Sequence, residues 1–238
     1  MHALIVHAHP EPTSFNAGLR DAAAARLRAE GHGVTVSDLF AEGFNPVPGR
    51  HDFTTCADAE RFHYQAEQAH AAAHGGFSPE LVREQERVRA ADLLILQFPL
   101  WWGAAPGIMK GWFERVLAYG FAYVDGRRFD TGLLKGRSAL VCVTTGGTRE
   151  RFSDTGVYGE IDKVLWPVTR TTLEYMGLDV AEPYVCYAAP RVDAQARAAM
   201  LAGWADRVSE AAARQAARGR VEMDAPLADG GRTWTSAS

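Results

Sequence analysis

The chain has 238 residues, with 25 Lys and Arg against 29 Asp and Glu and a net charge of -4. That balance, with no basic stripe, excludes a general nucleic-acid binder, which must neutralise phosphates with a concentrated cationic surface. Hydrophobic residues at 47% and charged residues at 23% describe an ordinary globular chain, long enough for one well-buried domain with an excursion.

No apolar run approaches the roughly 18 residues that a membrane-spanning helix needs, so no membrane insertion is expected. Met1 to Val6 leads into a strand without a basic n-region or cleavage site, so a signal peptide is not expected and the cytosol is the expected compartment. Cys56, Cys142 and Cys186 show no C-x-x-C spacing. The last two sit in apolar runs and read as small buried hydrophobes.

Ala3 to Ala8 is a short apolar run that predicts a strand buried on both faces. A turn-rich stretch from His9 to Ser14 leads into an Ala-rich helix from about Asn16 to Glu30, which Gly31-His32-Gly33 ends. Val34 to Asp38 predicts a second strand, so the first forty residues form a βαβ unit with a parallel, right-handed crossover. From about residue 40 to 77 the pattern loosens into an expected insertion after the second strand, with an Ala/His-rich helical stretch inside it.

Ser78-Pro79-Glu80 restarts helix: an N-cap serine, proline at the first helical position and an acid in the first turn. That helix runs to Ala91, and Asp92 to Phe98 is the third strand. Helix is expected again over Ile108–Leu117, strand over Ala139–Val143, helix over Leu165–Met176, and a fifth strand over Val180–Tyr187. A long helix from Asp193 to Arg218 closes the fold, leaving a polar tail at 219–238. Five buried strands alternating with helices predict a doubly wound α/β domain with helices on both faces. Ligands of such sheets bind beyond the carboxyl ends of the strands, so the loops after strands one, three and four carry the site.

The first of these loops, His9 to Asn16, enters a helix and offers backbone N–H groups together with Thr13, Ser14 and Asn16. It suits phosphate oxygens, or serves as a simple N-cap; it is neither a G-x-G-x-x-G nor a Walker sequence. The second, Phe98-Pro99-Leu100-Trp101-Trp102-Gly103-Ala104-Ala105-Pro106-Gly107, sets two tryptophans in a Pro/Gly-shaped turn. They suit a flat ring system such as isoalloxazine, or pack as ordinary core. The third, Thr144-Thr145-Gly146-Gly147, lets backbone approach a ligand edge closely, or is only a turn. All three fall on one sheet edge.

These segments resemble the NAD(P)H:quinone oxidoreductase (DT-diaphorase) family of the flavodoxin-like superfamily. The run from Phe98 to Val116, Gly120 to Tyr123, Thr144 to Gly147, Leu165-Trp166-Pro167, the His9 to Asn16 loop and Phe44-Asn45-Pro46 match it in order, as does the helix holding Arg197 and Gly203-Trp204. The resemblance implies a flavodoxin-like sheet and a homodimer with active sites at the subunit interface. It also implies bound FAD, with FMN the less favoured flavin, carrying two electrons from NAD(P)H to a quinone in a ping-pong cycle. By the same resemblance His9, Phe15 and Asn16 hold the dinucleotide with Thr13 and Ser14 nearby, and Arg197 lies near its phosphates or adenosine. Pro99, Leu100, Trp101 and Trp102 line the flavin, Thr144, Thr145, Gly146 and Gly147 bond its polar edge, and Tyr123 and Tyr175 form substrate walls. His63 matches a position near the partner subunit's adenine.

Two departures touch the chemistry. Relatives commonly set a tyrosine and a histidine beside the flavin's pyrimidine edge, and the matching residues here are Phe152 and Tyr158. Phe152 donates no hydrogen bond, which leaves Tyr158 as the expected catalytic donor. Some relatives hold a metal on the helix before strand five. Arg170 to Glu174 lacks its ligands, and no metal is expected. His63, Glu67, His70 and His74 share a helical face with ligand-like spacing, read here as a solvated face. Lys110, Glu114 and Arg115 read as surface or dimer contacts. A rival function is that of an ancillary subunit regulating a potassium-efflux transporter, since a retained fold need not retain the activity.

Overall fold

The computed structural model describes residues 1–219 together with 222 and 223. The expected polar tail therefore lies almost wholly outside the described residues. The sheet is built from β1 (His2–His7), β2 (Gly33–Asp38), β3 (Leu93–Pro99), β4 (Ser138–Thr144), β5 (Asp179–Val180) and β6 (Tyr184–Cys186). Strand order is β2-β1-β3-β4-β5, all pairs parallel, with β6 also on β4.

The apolar runs explain why the middle strands sit inside. Every residue of β3 and β4 is buried, so both faces must be covered. Alternation divides them between two cores. Leu4, Val6, Leu94, Leu96, Val141 and Val143 pack against α3 (Pro79–Ala90), α4 (Gly107–Val116) and α5 (Ile161–Val168). Ile5, Leu93, Ile95, Leu140 and both Cys142 and Cys186 face α1 (Phe15–Ala29) and α6 (Ala194–Arg218).

The expected single fifth strand is two short ones. Val180 pairs with Ala139, and pairing resumes only at Tyr184 opposite Cys142. Pro183 lies in the gap, and a residue without an N–H interrupts a ladder. The helix expected at Leu165–Met176 begins earlier, at Ile161, and carries Pro167 inside it. Beyond Val168 it loosens into a π-helical stretch, Thr169–Glu174, where the hydroxyls of Thr171 and Thr172 donate to the Pro167 carbonyl at 2.9 and 2.8 Å. Ser78 occupies the N-cap of α3 as expected, but its hydroxyl makes no capping bond and is buried without a partner.

The 40–77 segment contains a 3-10 turn at Arg50–Asp52 and α2 (Tyr64–His74), and polar groups fasten it to the domain. Asp52, fully buried, accepts from Arg115 Nε at 2.9 Å and from the Tyr64 hydroxyl at 2.6 Å. Arg115 also bonds Glu80 at 2.6 Å and the Asn45 carbonyl, and lies over the Phe44 ring. The expectation of a surface role for Arg115 is thus overturned: it is 1% exposed, because the segment folds over its helix and brings it a carboxylate. Lys110 and Glu114 do form an exposed pair. Gly111 allows the close approach, since a Cβ there would stand 2.2 Å from the Pro46 carbonyl oxygen.

The His/Glu face on α2 is not uniformly solvated. Glu67 is buried and accepts from the backbone N–H of Ala57 at 2.8 Å. His63 caps the helix, accepting from Ala66 N at 3.3 Å, and the rings of His70 and His74 pack 4.2 Å apart. The four side chains do not converge.

Candidate active site

A cleft of about 400 Å³ opens beyond the carboxyl ends of β1, β3, β4 and β6. It is lined by His9, Ser14, Phe15 and Asn16 from the first loop, Pro99, Leu100 and Trp101 from the second, and Thr144, Thr145 and Gly146 from the third, with Arg197 from α6. Parallel pairing puts these loops on one edge, because every strand ends there. Ala189 and Pro190 complete the wall. Sequence reasoning missed these two, since they belong to the turn after the split fifth strand and carry no polar signal.

The first loop is braced from within. Ser14 caps α1, its hydroxyl accepting from Ala17 N at 3.1 Å. Glu11 accepts from both the backbone N–H and the hydroxyl of Thr13, at 2.9 and 2.7 Å. The carboxylate of Glu11 is held below its usual range by those two bonds. Thr13 is therefore committed to Glu11 and is not among the residues that line the cleft. His9 accepts from Glu11 N at 3.1 Å and leans towards Trp101, ring centroids 6.0 Å apart.

A polar layer forms the floor. Asn16 donates to the Thr144 hydroxyl at 3.0 Å and Gln97 donates to the Asn16 carbonyl at 2.5 Å. His7, paired with Gln97 across the sheet, lies just below the same layer and is 1% exposed. Burial depresses its pKa to about 4, partly offset by Asp38, while Arg20 and His9 act in the same direction as burial. The side-chain oxygen of Asn16 is buried without a partner.

The two tryptophans separate. Trp101 exchanges both backbone bonds with Ala104 at 3.0 Å, closing a tight turn whose central residues, Trp102 and Gly103, have φ of 51° and 70°. Trp101 faces the cleft at 43% exposure, whereas Trp102 is fully exposed and does not line it. Left-handed backbone at a bulky residue is uncommon, and the turn accepts it to point that indole outward.

On the third loop, the Thr145 hydroxyl donates to the Gly147 carbonyl at 2.7 Å, and Arg191 donates to the carbonyl of Gly146. Gly147 also makes room for two rings: a Cβ there would meet Phe152 at 2.8 Å and Tyr158 at 3.1 Å. Those rings pack 5.0 Å apart against the loop, just outside the cleft lining, with Tyr158 half exposed. Tyr123 and Tyr175, ring centroids 6.2 Å apart, line a different cleft of about 280 Å³ with Lys110, Phe113 and Met176. Burial raises the pKa of Tyr123, and Tyr175 beside it adds to the effect. His63 lines neither cleft.

The family model described as a flavodoxin-like fold matches residues 1–208. Rat NAD(P)H dehydrogenase (quinone) 1 is 42% identical over 207 residues, covering 87% of this chain and 76% of that protein. The chain belongs to the flavodoxin-like quinone reductase family. Human ribosyldihydronicotinamide dehydrogenase (quinone) is equally similar, 42% over 206 residues, with 86% and 89% covered. Among solved structures, NAD(P)H:quinone oxidoreductase from Methanothermobacter marburgensis superposes with a TM-score of 0.68 at 27% identity, covering 87% of this chain and 95% of that one.

The residues of this quinone reductase fit a flavin. Leu100 and Trp101 offer an apolar wall, Asn16 and Thr145 a polar edge, and Arg197 a cation. The unpartnered Asn16 oxygen is an acceptor for a ligand hydroxyl, and leaving such an atom unmet costs roughly 1–3 kcal/mol.

Proposed function

We propose that this chain is an NAD(P)H:quinone oxidoreductase that holds FAD in the main cleft and works as a homodimer in the cytosol. The observation that carries the reading is the convergence of three strand-end loops on one cleft with an apolar wall, a polar edge and an arginine. When bound, the flavin supplies reversible hydride acceptance, which the side chains of this chain lack. His9, Ser14, Phe15, Asn16 and Arg197 would hold its dinucleotide portion, and Pro99, Leu100, Trp101, Thr144, Thr145 and Gly146 its ring. Thr13 acts indirectly, by fixing the loop through Glu11. FAD is favoured over FMN because Arg197 on the cleft wall offers a cation for a second phosphate.

The protein's own contribution is positional and electrostatic. Donor and acceptor would use the same face in turn, a ping-pong cycle, with Trp101 limiting access of water. Negative charge arriving with the hydride needs a donor at the polar edge. Phe152 has none to offer, so the Tyr158 hydroxyl takes that role beside the Gly146-Gly147 backbone. Gly147 lets Tyr158 lie against the loop.

The dimer reading is supported by the family resemblance, and Trp102, Val157 and Trp166, at 104%, 80% and 54% exposure, are apolar side chains that a partner could cover. A dimer would let Tyr123 and Tyr175 meet the main cleft of the partner, where they would line the acceptor site, and would bring His63 to its adenine. The cytosolic assignment is supported by three free cysteines.

Heat release of the bound cofactor followed by chromatography tests the assignment directly: FAD is expected, and FMN or no flavin overturns it. Stopped-flow reduction by NAD(P)H tests the mechanism. Tyr158→Phe should slow it by about 10- to 100-fold, the range for losing one hydrogen bond to developing charge. An unchanged rate removes Tyr158 from the reaction.

A further inference from the structure

The cleft is electrostatically lopsided. The first loop carries one carboxylate, Glu11, already engaged with Thr13. On the β4 and β6 side stand four arginines. Arg197 bonds the Val192 carbonyl at 2.5 Å and lines the cleft, and Arg191 is tied to the Gly146 carbonyl. Arg149 and Arg151 belong to the 3-10 turn Arg149–Phe152, whose last residue packs on Gly147.

The Arg149 guanidinium lies 4.6 Å over the ring of Tyr187, a residue two positions before the lining pair Ala189-Pro190 whose ring centroid is 6.1 Å from that of Phe152. Tyr158 N donates to the Arg151 carbonyl at 3.0 Å, which ties the turn to the aromatic edge of the site. Both arginines are exposed, and neither forms an ion pair among the described residues. Two acids stand near: Asp162 acts electrostatically on Tyr187, as Arg149 does, and Glu150 is held below its usual range by its own backbone N–H and the Thr148 hydroxyl before any effect of Arg149.

Unpaired cations concentrated at one rim, in a chain of net charge -4, are a recognition device that the flavin does not require. Arg197 already serves a cofactor phosphate. The acceptors of a quinone reductase are flat and uncharged, whereas the charges of a nicotinamide dinucleotide donor are its phosphates. Guanidinium matches phosphate oxygens with paired N–H donors, and stacking on Tyr187 pre-orders one fork. Overall identity does not choose the donor, since this chain is 42% identical both to an NAD(P)H dehydrogenase and to a ribosyldihydronicotinamide dehydrogenase.

Resting on the quinone reductase reading, we propose that Arg149, with Arg151, forms a rim that binds the phosphate groups of the dihydronicotinamide donor. The chain accordingly selects phosphorylated donors over the uncharged ribosyl-dihydronicotinamide. Arg149 makes the direct contact, and Arg151 adds to the local field.

The test uses flavin-loaded full-length protein and one neutral benzoquinone. Steady-state kcat/KM is measured with NADPH, NADH and N-ribosyl-dihydronicotinamide, for the wild type and for Arg149→Gln, Arg151→Gln and the double variant. In the double variant, kcat/KM for both phosphorylated donors should fall roughly tenfold through KM, as for loss of a charged hydrogen bond, while the uncharged donor is unaffected. Raising salt from low to physiological strength should weaken NADPH turnover in the wild type and much less in the double variant.

Equal losses for charged and uncharged donors would make the turn merely structural, and no loss for either would remove it from recognition. Both results overturn the proposal. Loss of bound flavin from the double variant would reassign the arginines to the cofactor. In a second run with a carboxylate-bearing quinone in place of the neutral one, a loss confined to that acceptor would reassign them to the acceptor and overturn the proposal. Wild-type protein that turns over none of the three donors would instead sink the quinone reductase reading itself.

Discussion

The sheet and the 40–77 segment share an apolar core at Phe44, Ala71 and Phe77 but differ in what else they bury. In β3 and β4 every side chain is buried, and all but Gln97, Ser138 and Thr144 are apolar. The segment that crosses α4 instead buries Asp52, Glu67 and Gln68, each met by hydrogen bonds. Burial of apolar area is non-directional and tolerates small shifts, whereas a buried ion pair fixes one geometry and fails when one partner goes. The difference teaches where this protein can be loosened locally and where only globally.

The largest expected effect lies in the polar region. Arg115→Met leaves Asp52 buried and uncompensated, which costs about 3–5 kcal/mol. Denaturant unfolding should record the loss, and amide exchange should accelerate around Asn45 to Phe53 before it does in β3. Adding Asp52→Asn to Arg115→Met should recover part of the stability. A loss under about 1 kcal/mol for the single variant would mean that the pair does not hold the segment.

In the sheet, Ile95→Ala opens a cavity between β3 and the α1/α6 layer. The expected cost is about 3 kcal/mol, shared by every probe because the strand is central. Preferential exchange in the 40–77 segment on this substitution would break the division between the two regions.

The smallest effect at neutral pH comes from His7, a buried imidazole at the end of β1. Its pKa is about 4 when folded and near 6.5 when unfolded. Above pH 6.5 neither state binds the proton, and His7 costs nothing through linkage. As pH falls from 6.5 to about 4, the unfolded chain takes up the proton first, so stability declines by up to about 1.4 kcal/mol per pH unit from this group. His7→Leu should flatten that acid limb in urea midpoints measured at several pH values. A limb of unchanged slope would assign the acid sensitivity to other groups.

Much of this was legible in the sequence because it is local. Apolar runs, caps and Gly/Pro punctuation mark strands and helices through nearest-neighbour sterics and periodicity. The convergence of His9 to Asn16, Pro99 to Trp101 and Thr144 to Gly146 then follows from parallel topology, which sends every strand end to one edge. Even the split in the last strand carried a local sign, Pro183, that the hydrophobic pattern around it masked. The metal-like spacing on α2 shows the limit from the other side, since spacing alone does not bring side chains together.

What only the tertiary structure decided depends on partners far away in the chain. Arg115 reads as a surface charge until Asp52, 63 residues earlier, is folded over it. Trp102 leaves the cleft because a tight turn aims it outward, and Tyr123 and Tyr175 occupy a separate cleft because the loop bearing one packs on the helix bearing the other. The arginines at the β4 rim become a site only when Gly147, Phe152 and Tyr187 bring their turns together. Local sterics act within a few residues and can be read along the chain. Long-range contacts are chosen by the packing of whole elements, and no single stretch of sequence contains them.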